Sequence, residues 1–263
     1  MRYARVVVDG SPCWGIVTGD IDTGASVQLI DGSPYDGGRA TGTVHALEGV
    51  RLLAPVTPSK IFCLGRNYED HRAEMGYGHD GAPSVFMKGS TTVIGPGDDI
   101  VLPPLSMSTH VEHEAELAIV IGRPARFVTA ADAFDYILGY TCANDVSARD
   151  LQRGDPHPTR GKGFDTFCPV GPWIETDLDP VSGIRLRCSV NGAVRQDGST
   201  ADMTYGIPFL IEYLTGFATL LPGDLVLTGS PGGTGPLVPG DQVAVEIDGI
   251  GTLINGVVAA DRP

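Results

Sequence analysis

Positive charge is scarce in this sequence. Eighteen lysines and arginines stand against 32 aspartates and glutamates, a formal net charge of −14. A polyanion such as DNA or RNA would be repelled, and no Lys/Arg cluster offers a local exception, so no nucleic-acid partner is expected. Long apolar runs are also missing. The longest is about five residues, far short of the ~20 that a membrane-spanning helix needs. The opening "MRYARVVVDGSPC" has no apolar run long enough for a signal peptide, so a cytoplasmic location with no membrane partner is expected. Cysteine is limited to Cys13, Cys63, Cys142, Cys168 and Cys188, an odd number without C-x-x-C spacing. That excludes a disulfide framework and a zinc-cysteine site and leaves buried or idle thiols.

Turn residues, in contrast, are abundant. The 36 glycines and 20 prolines make up about a fifth of the 263 residues, against a usual share of roughly 12%. With 42% apolar residues there is enough material for a core, but the chain must turn often. Many short strands and few helices follow. Residues 1–55 read as a small β-meander domain ending in the Gly-rich "DGSPYDGGRATG", and residues 56–263 as the main body. Three Pro-Gly-Asp turns, at Pro96, Pro222 and Pro239, each launch a strand. Asn191-Gly192 and Asp248-Gly249 mark hairpins. One helix is expected over 130–138, with Thr129 as N-cap and Gly139 as its stop. A second follows Thr204, with Ile207, Leu210, Ile211, Leu214 and Ala218 on one face and Pro208 in its first turn. The fold class is a β-rich α+β domain with a few flanking helices.

"HEAELAIVIG" carries the first chemical signal. In a strand, alternate residues share a face, so Ala115, Leu117, Ile119 and Ile121 form one apolar face. Glu114, Glu116, Ala118 and Val120 form the other. Two acids on one buried face repel each other at a cost of several kcal/mol per uncompensated charge, and a cation would remove it. A solvated strand end is the plainer reading of an isolated Glu-x-Glu. "YTCANDVSARDLQ" adds Asp145 after an apolar strand-like run, where a turn or helix cap is the plainer reading. Three carboxylates together make an all-oxygen donor set, which suits Mg²⁺ or Mn²⁺ and disfavours zinc.

"LGRNYEDHRAEMG" reads as a short helix between Gly65 and Gly76, with Asn67 able to N-cap it and Asp70 at N3. His71 and Glu74 are three apart and share a helical face. A carboxylate beside an imidazole orients it and raises its basicity, which suits a general base for water. An ordinary exposed pair explains the same spacing. The glycines beyond suggest a mobile lid over 68–82. Lys88, Lys162 and Thr228 are further polar candidates. "TGSPGGTG" lacks the lysine and the glycine spacing of a phosphate loop.

In this order, "GRNYEDHRAEM", "HEAELAIVIG", "NDVSARDLQ", "GKGFDTFCPVGPW", "VNGAVRQDGSTADM" and "PGDLVLTGSPGGTGP" resemble the signature blocks of the fumarylacetoacetate hydrolase family, over residues 60–256. The resemblance implies a mixed β-roll core, a homodimer and one Mg²⁺ or Mn²⁺ per subunit held by Glu114, Glu116 and Asp145. It implies substrate contacts from Arg66, Arg149, Gln152 and Thr228, with Lys162 beside the oxo group. It places His71 and Glu74 as the dyad on the lid helix of the acylpyruvase-like branch. Gly89 stands where the family often has Pro, and Ser230 where it often has Thr, departures that bear on substrate shape. The expected reaction is hydrolysis of a C–C bond in an acylpyruvate or related diketo acid through a metal-stabilised enolate. Oxaloacetate decarboxylation and isomerisation of a hydroxy-dienedioate are the alternatives. A non-enzymatic metal or metabolite binder is a third, against which the intact dyad speaks. Distal specificity would lie with residues 77–82 and 155–159.

Overall fold

Each Pro-Gly-Asp turn places its glycine at positive φ, at Gly97 (78°), Gly223 (84°) and Gly240 (95°), and strands Ile100–Leu102, Leu225–Leu227 and Gln242–Ile247 follow. The backbone conformation that proline and glycine jointly favour in a type II turn thus sets where three strands begin. The computed structural model describes residues 1–21, 23–74, 76 and 81–260.

The largest sheet runs in the order Arg39–Ala46, Ser26–Asp31, Ser11–Thr18, Arg2–Val8, Cys168–Glu175, Ile137–Asn144, Ala115–Ile121, Leu225–Leu227, Ile61–Gly65 and Ser84–Lys88. The first four strands form a meander, and Arg39–Ala46 begins inside the Gly-rich run expected to end it as a loop, because Asp31 pairs with Arg39. Its strand Arg2–Val8 also pairs with Cys168–Glu175 through Arg2↔Glu175 and Tyr3↔Ile174, so the meander extends the main sheet. A second sheet runs Ala193–Ser199, Arg185–Val190, Gln242–Ile247, Gly251–Ala259, Ile100–Leu102. Most pairs are antiparallel. Leu225–Leu227 with Ile61–Gly65 and Gly251–Ala259 with Ile100–Leu102 are parallel, which makes both sheets mixed. The architecture is β-rich α+β, as expected.

One core cluster joins the two sheets, with Leu117, Ile119 and Ile121 packed among residues such as Leu186, Val243, Val245 and Leu253. A second cluster lies on the opposite face of the main sheet and holds Ala118, Val120, Ala143, Leu225 and Leu227. Strand Ala115–Ile121 is therefore buried on both faces, and Glu116 within it and Glu114 just before it enter a water-poor interior.

The Asn191-Gly192 hairpin forms as expected, with Val190↔Ala193 closing it and both turn residues at positive φ. At Asp248-Gly249 the closing pair is Ile247↔Gly251, a three-residue loop. Helix Ile207–Phe217 buries Ile207, Leu210, Ile211 and Leu214 and has Pro208 in its first turn. Each such side chain contributes about 1.5–3 kcal/mol on burial. The expected helix over 130–138 is a 3₁₀ helix, Ala130–Tyr136, and Gly139 does not stop it. Strand Ile137–Asn144 starts first, because pairing with Ala115–Ile121 claims these residues. A Cβ at Gly139 would meet Glu175 O at 2.4 Å, so this glycine serves close strand packing. The Thr129 side chain bonds Asp132 Oδ2 (2.7 Å) and makes no capping bond to the helix backbone.

Candidate metal and proton-transfer site

Strand register brings the acids together. Strands Ala115–Ile121 and Ile137–Asn144 run antiparallel with Glu116 opposite Ala143 and Ala115 opposite Asn144. Continuing that register sets Glu114 opposite Asp145, and Asp145 N donates to Glu114 O at 2.8 Å. Opposed residues share a face, so Glu114, Glu116 and Asp145 converge. A ligand oxygen from each lies within 4.8 Å of the others. All three are buried, with at most 4% exposure.

Three buried cations stand around them. Lys162 Nζ donates to Glu114 Oε2 and Asp145 Oδ2, both at 2.7 Å. Lys88 Nζ lies 2.7 Å from Asp145 Oδ1 but directs its hydrogen bonds to Val146 O and Lys162 O, so its contact with the aspartate is ionic. The Arg149 guanidinium donates to Glu114 Oε1 (2.5 Å), Glu112 Oε2 (2.8 Å) and Gln152 Oε1 (2.5 Å). It is 1% exposed, as is Lys162.

Burial works against the Lys162 charge, yet Asp145 and Glu114 outweigh it and push its pKa up to about 12. Lys162 therefore stays protonated and is an electrostatic group, not a base. Burial alone would raise the Glu114 carboxyl, but Lys162 and then Arg149 hold it well below the usual carboxylate range. Glu116 goes the other way. Burial, then Asp145 and Glu114, push its carboxyl well above the usual range. Its hydrogen bond comes from Gly229 N at 2.6 Å.

Glu116 is the acid of the triad that burial and its two acidic neighbours push toward the neutral form, and a cation placed among the three carboxylates would relieve that repulsion. The all-oxygen donor set fits a divalent cation of the Mg²⁺ or Mn²⁺ type.

The run after strand Leu225–Leu227 docks on the acidic strand. Thr228 Oγ1 donates to Leu117 O (2.9 Å), and Ser230 Oγ donates to Ala115 O (2.9 Å). Gly229 sits between them at φ 98°. A Cβ there would lie 2.8 Å from Asn67 Cβ and 3.0 Å from Leu64 O, so only glycine fits where its N–H meets Glu116.

Helix Glu69–Glu74 covers this wall. Asn67 does not cap it. Its side chain donates to Tyr205 O and Thr228 O and accepts from Tyr205 N, which ties the helix entry to the wall. Arg66, half-buried at φ 64°, makes the sharp step from strand Ile61–Gly65 into this entry. His71 is 7% exposed, the one buried side chain of this helix among the described residues. His71 Nδ1 lies 3.5 Å from Glu74 Oε2 and makes no hydrogen bond. Glu74 Oε2 accepts from Gly233 N and Asp70 Oδ2 from Gly232 N, both at 3.0 Å. The helix is thereby latched to the Gly-rich loop. Of the expected lid, residues 75 and 77–80 lie outside the described residues.

Family models match most of the chain. Residues 60–258 match the fumarylacetoacetate hydrolase C-terminal model, and residues 1–55 the Rv2993c-like N-terminal model. The chain belongs to the fumarylacetoacetate hydrolase family. The human "Oxaloacetate tautomerase FAHD2A, mitochondrial" is 42% identical over 222 residues, covering 80% of this chain and 70% of that protein. Among solved structures, the 2-hydroxyhepta-2,4-diene-1,7-dioate isomerase of Mycobacterium marinum is 44% identical at TM-score 0.92, covering all of both chains. The maleylpyruvate hydrolase of Sphingobium sp. SYK-6, solved with manganese(II) and pyruvate, is 31% identical at TM-score 0.81, covering 99% of this chain and all of that one. Members of the family are isomerases, tautomerases and hydrolases, and they often bind a divalent metal.

Sequence reasoning passed over Glu112, Gln196 and the Gly232-Gly233 latch. Glu112 continues the alternation of Glu114 and Glu116 backwards by two, a legible signal. Gln196 is fully buried and bridges His113 Nδ1, Ala115 N, Ser230 Oγ and Pro231 O. Nothing local in "VRQDG" marks it, because its partners come from two distant segments. Burial outweighs the hydrogen bond to Gln196 Oε1 and lowers the His113 pKa, so this histidine is a neutral structural group.

Proposed function

We propose that this chain is a divalent-metal-dependent enzyme acting on a small 2-oxo acid, and that proton transfer at carbon 3 is its principal reaction. The observation that carries this reading is the convergence of three buried carboxylates, one of which accepts from the Gly229 N–H that packs against Asn67 at the entry to the helix bearing His71. A metal held by Glu114, Glu116 and Asp145 would polarise the 2-oxo oxygen and stabilise negative charge developing there. Lys162, kept protonated by its two acids, adds positive potential at the same place. His71 takes a proton from carbon 3, the electron pair moves to the 2-oxo oxygen, and a proton delivered to that oxygen yields the enol. Glu74 orients the imidazole while the Gly233 N–H holds Glu74. The tautomerase and isomerase relatives support this order of preference.

Hydrolysis of a C–C bond in an acylpyruvate is the second reading. It is favoured by the carboxylate within 3.5 Å of the imidazole, which equips His71 to take a proton from an attacking water, and by the maleylpyruvate hydrolase relative. The deciding experiment follows loss of enol absorbance from oxaloacetate and pyruvate release from acylpyruvates, with Mg²⁺ or Mn²⁺ and with EDTA. Metal-dependent ketonisation faster than any pyruvate release is expected. Pyruvate release as the faster reaction would promote the second reading, and inertness toward both would leave a binder.

A homodimer with no nucleic-acid partner belongs to the same proposal. The exposed row Phe209, Tyr213 and Phe217 on helix Ile207–Phe217 offers an apolar face for a second copy. Light scattering at micromolar concentration checks it.

A further inference from the structure

We propose that Gln196 is a positioning residue. Its side-chain amide fixes residues 230–233 against the acidic strand, and through that run it sets helix Glu69–Glu74, which carries His71. The inference rests on the reading above for the role of His71.

Strand Ala193–Ser199 lies at the edge of the second sheet, and Gln196 is its one buried residue, with no exposed surface. Every hydrogen-bonding position of its amide is used. Oε1 accepts from Ala115 N (3.0 Å) and His113 Nδ1 (2.9 Å). Nε2 donates to Ser230 Oγ (2.7 Å) and Pro231 O (2.8 Å). Two of these partners fix which way the amide faces. A backbone N–H only donates and a backbone carbonyl only accepts, so Oε1 meets Ala115 and Nε2 meets Pro231. Ser230 then gives its own proton to Ala115 O (2.9 Å). The N–H and the C=O of Ala115, the residue between Glu114 and Glu116, are thus both tied to this amide, one directly and one through Ser230.

The rest of the run packs against the same edge strand. A Cβ at Gly233 (φ 92°) would meet Arg195 O at 2.2 Å, and one at Gly198 would meet Pro231 Cβ at 2.6 Å. From there the Gly232 and Gly233 N–H groups reach Asp70 Oδ2 and Glu74 Oε2. Upstream, the chain is held without Gln196. Thr228 bonds Leu117 O through both N and Oγ1, and Asn67 donates to Thr228 O. Loss of the amide therefore loosens the part that holds the helix and leaves Gly229, which meets Glu116, in place.

The test is Gln196→Met, which keeps the side-chain length and removes all four bonds. Amide exchange over 69–74 and over strand Ile137–Asn144 is read well below the unfolding midpoint, with Mn²⁺ affinity and turnover of oxaloacetate at saturating substrate. The buried partners left unpaired lower the midpoint. Beyond that, faster exchange over 69–74, unchanged exchange over 137–144, Mn²⁺ affinity within twofold of wild type and a severalfold loss of turnover are expected. Added to Gly232→Ala, Gln196→Met is expected to lower turnover by less than it does alone, because both act through one latch. Full additivity overturns the proposal, as does unchanged exchange over 69–74 or a parallel loss of Mn²⁺ affinity and turnover. If Gln196→Met fails to fold, Ser230→Ala decides, since it removes one acceptor of Nε2 and the bond to Ala115 O. Faster exchange over 69–74 then supports the proposal, and unchanged exchange overturns it. Wild type that turns over no 2-oxo acid sinks the proposed function, and the exchange comparison still decides whether Gln196 sets the helix.

Discussion

The wall of the site and its cover are built differently. Glu114, Glu116 and Asp145 stand at the end of a β-ladder, buried on both faces, and Glu114 and Asp145 are clamped by buried cations. Helix Glu69–Glu74 has six residues, buries only His71 among its described side chains, and is attached through Asn67 and two backbone-to-carboxylate bonds at Gly232 and Gly233. A metal needs donors held to a few tenths of an ångström, which a paired strand supplies. A proton-transfer group must meet a ligand that enters and leaves, and a short element with few buried contacts opens at low cost.

The contrast is broken most severely at the wall. Glu116→Ala removes one carboxylate of the triad and is expected to abolish metal-dependent turnover of every substrate, measured at saturating Mn²⁺. Retention of activity would mean that the triad is not the metal centre.

At the cover, His71→Ala is expected to lower turnover by about 10²–10⁴-fold while Mn²⁺ affinity stays unchanged. If Mn²⁺ affinity falls in parallel, cover and wall are not separate in function.

The latch gives a smaller effect. Gly232 is not in the left-handed region, and a Cβ there would lie 3.1 Å from Asp70 Oδ2 and 3.5 Å from Glu74 Oε2, so Gly232→Ala pushes on the latch without straining the backbone. A severalfold loss in turnover with faster amide exchange over 69–74 is expected, and unchanged exchange would show that these bonds do not hold the helix.

The smallest effect concerns acid stability. Because the Glu114 carboxyl is held below its ordinary value of 4.5, it contributes stability that is present above about pH 4.5 and is lost as pH falls toward its lower folded value. Glu114→Gln is therefore expected to be less stable at pH 7 and to show a flatter stability profile between about pH 5 and pH 2. A slope identical to that of wild type would mean that other groups govern acid unfolding.

Much of this was legible in local spacing. Proline and glycine dictate backbone angles within two residues, so the Pro-Gly-Asp turns and the Asn191-Gly192 hairpin are readable without tertiary information. The alternation in "HEAELAIVIG" placed Glu114 and Glu116 on one face because strand geometry repeats every two residues. The helix expected over 130–138 failed in part because strand pairing took its last residues and left a 3₁₀ turn. Asn67 looked like a cap, yet its side chain binds residues 138 and 161 positions away.

By itself the sequence determined the family, the β-rich class, the turn positions, the acids offered to a metal and the pairing of His71 with Glu74, since each depends on residue type and near-neighbour spacing. Only the tertiary structure decided that Asp145 stands opposite Glu114, that Lys162 bridges the two, and that Arg149 is held by Glu112 and Glu114. It also decided that Glu74 is latched by Gly233 and that Tyr68 is buried without a partner. Those facts depend on strand register and on which distant segment fills each space. Register is a property of two strands packed together, and neither strand carries it alone.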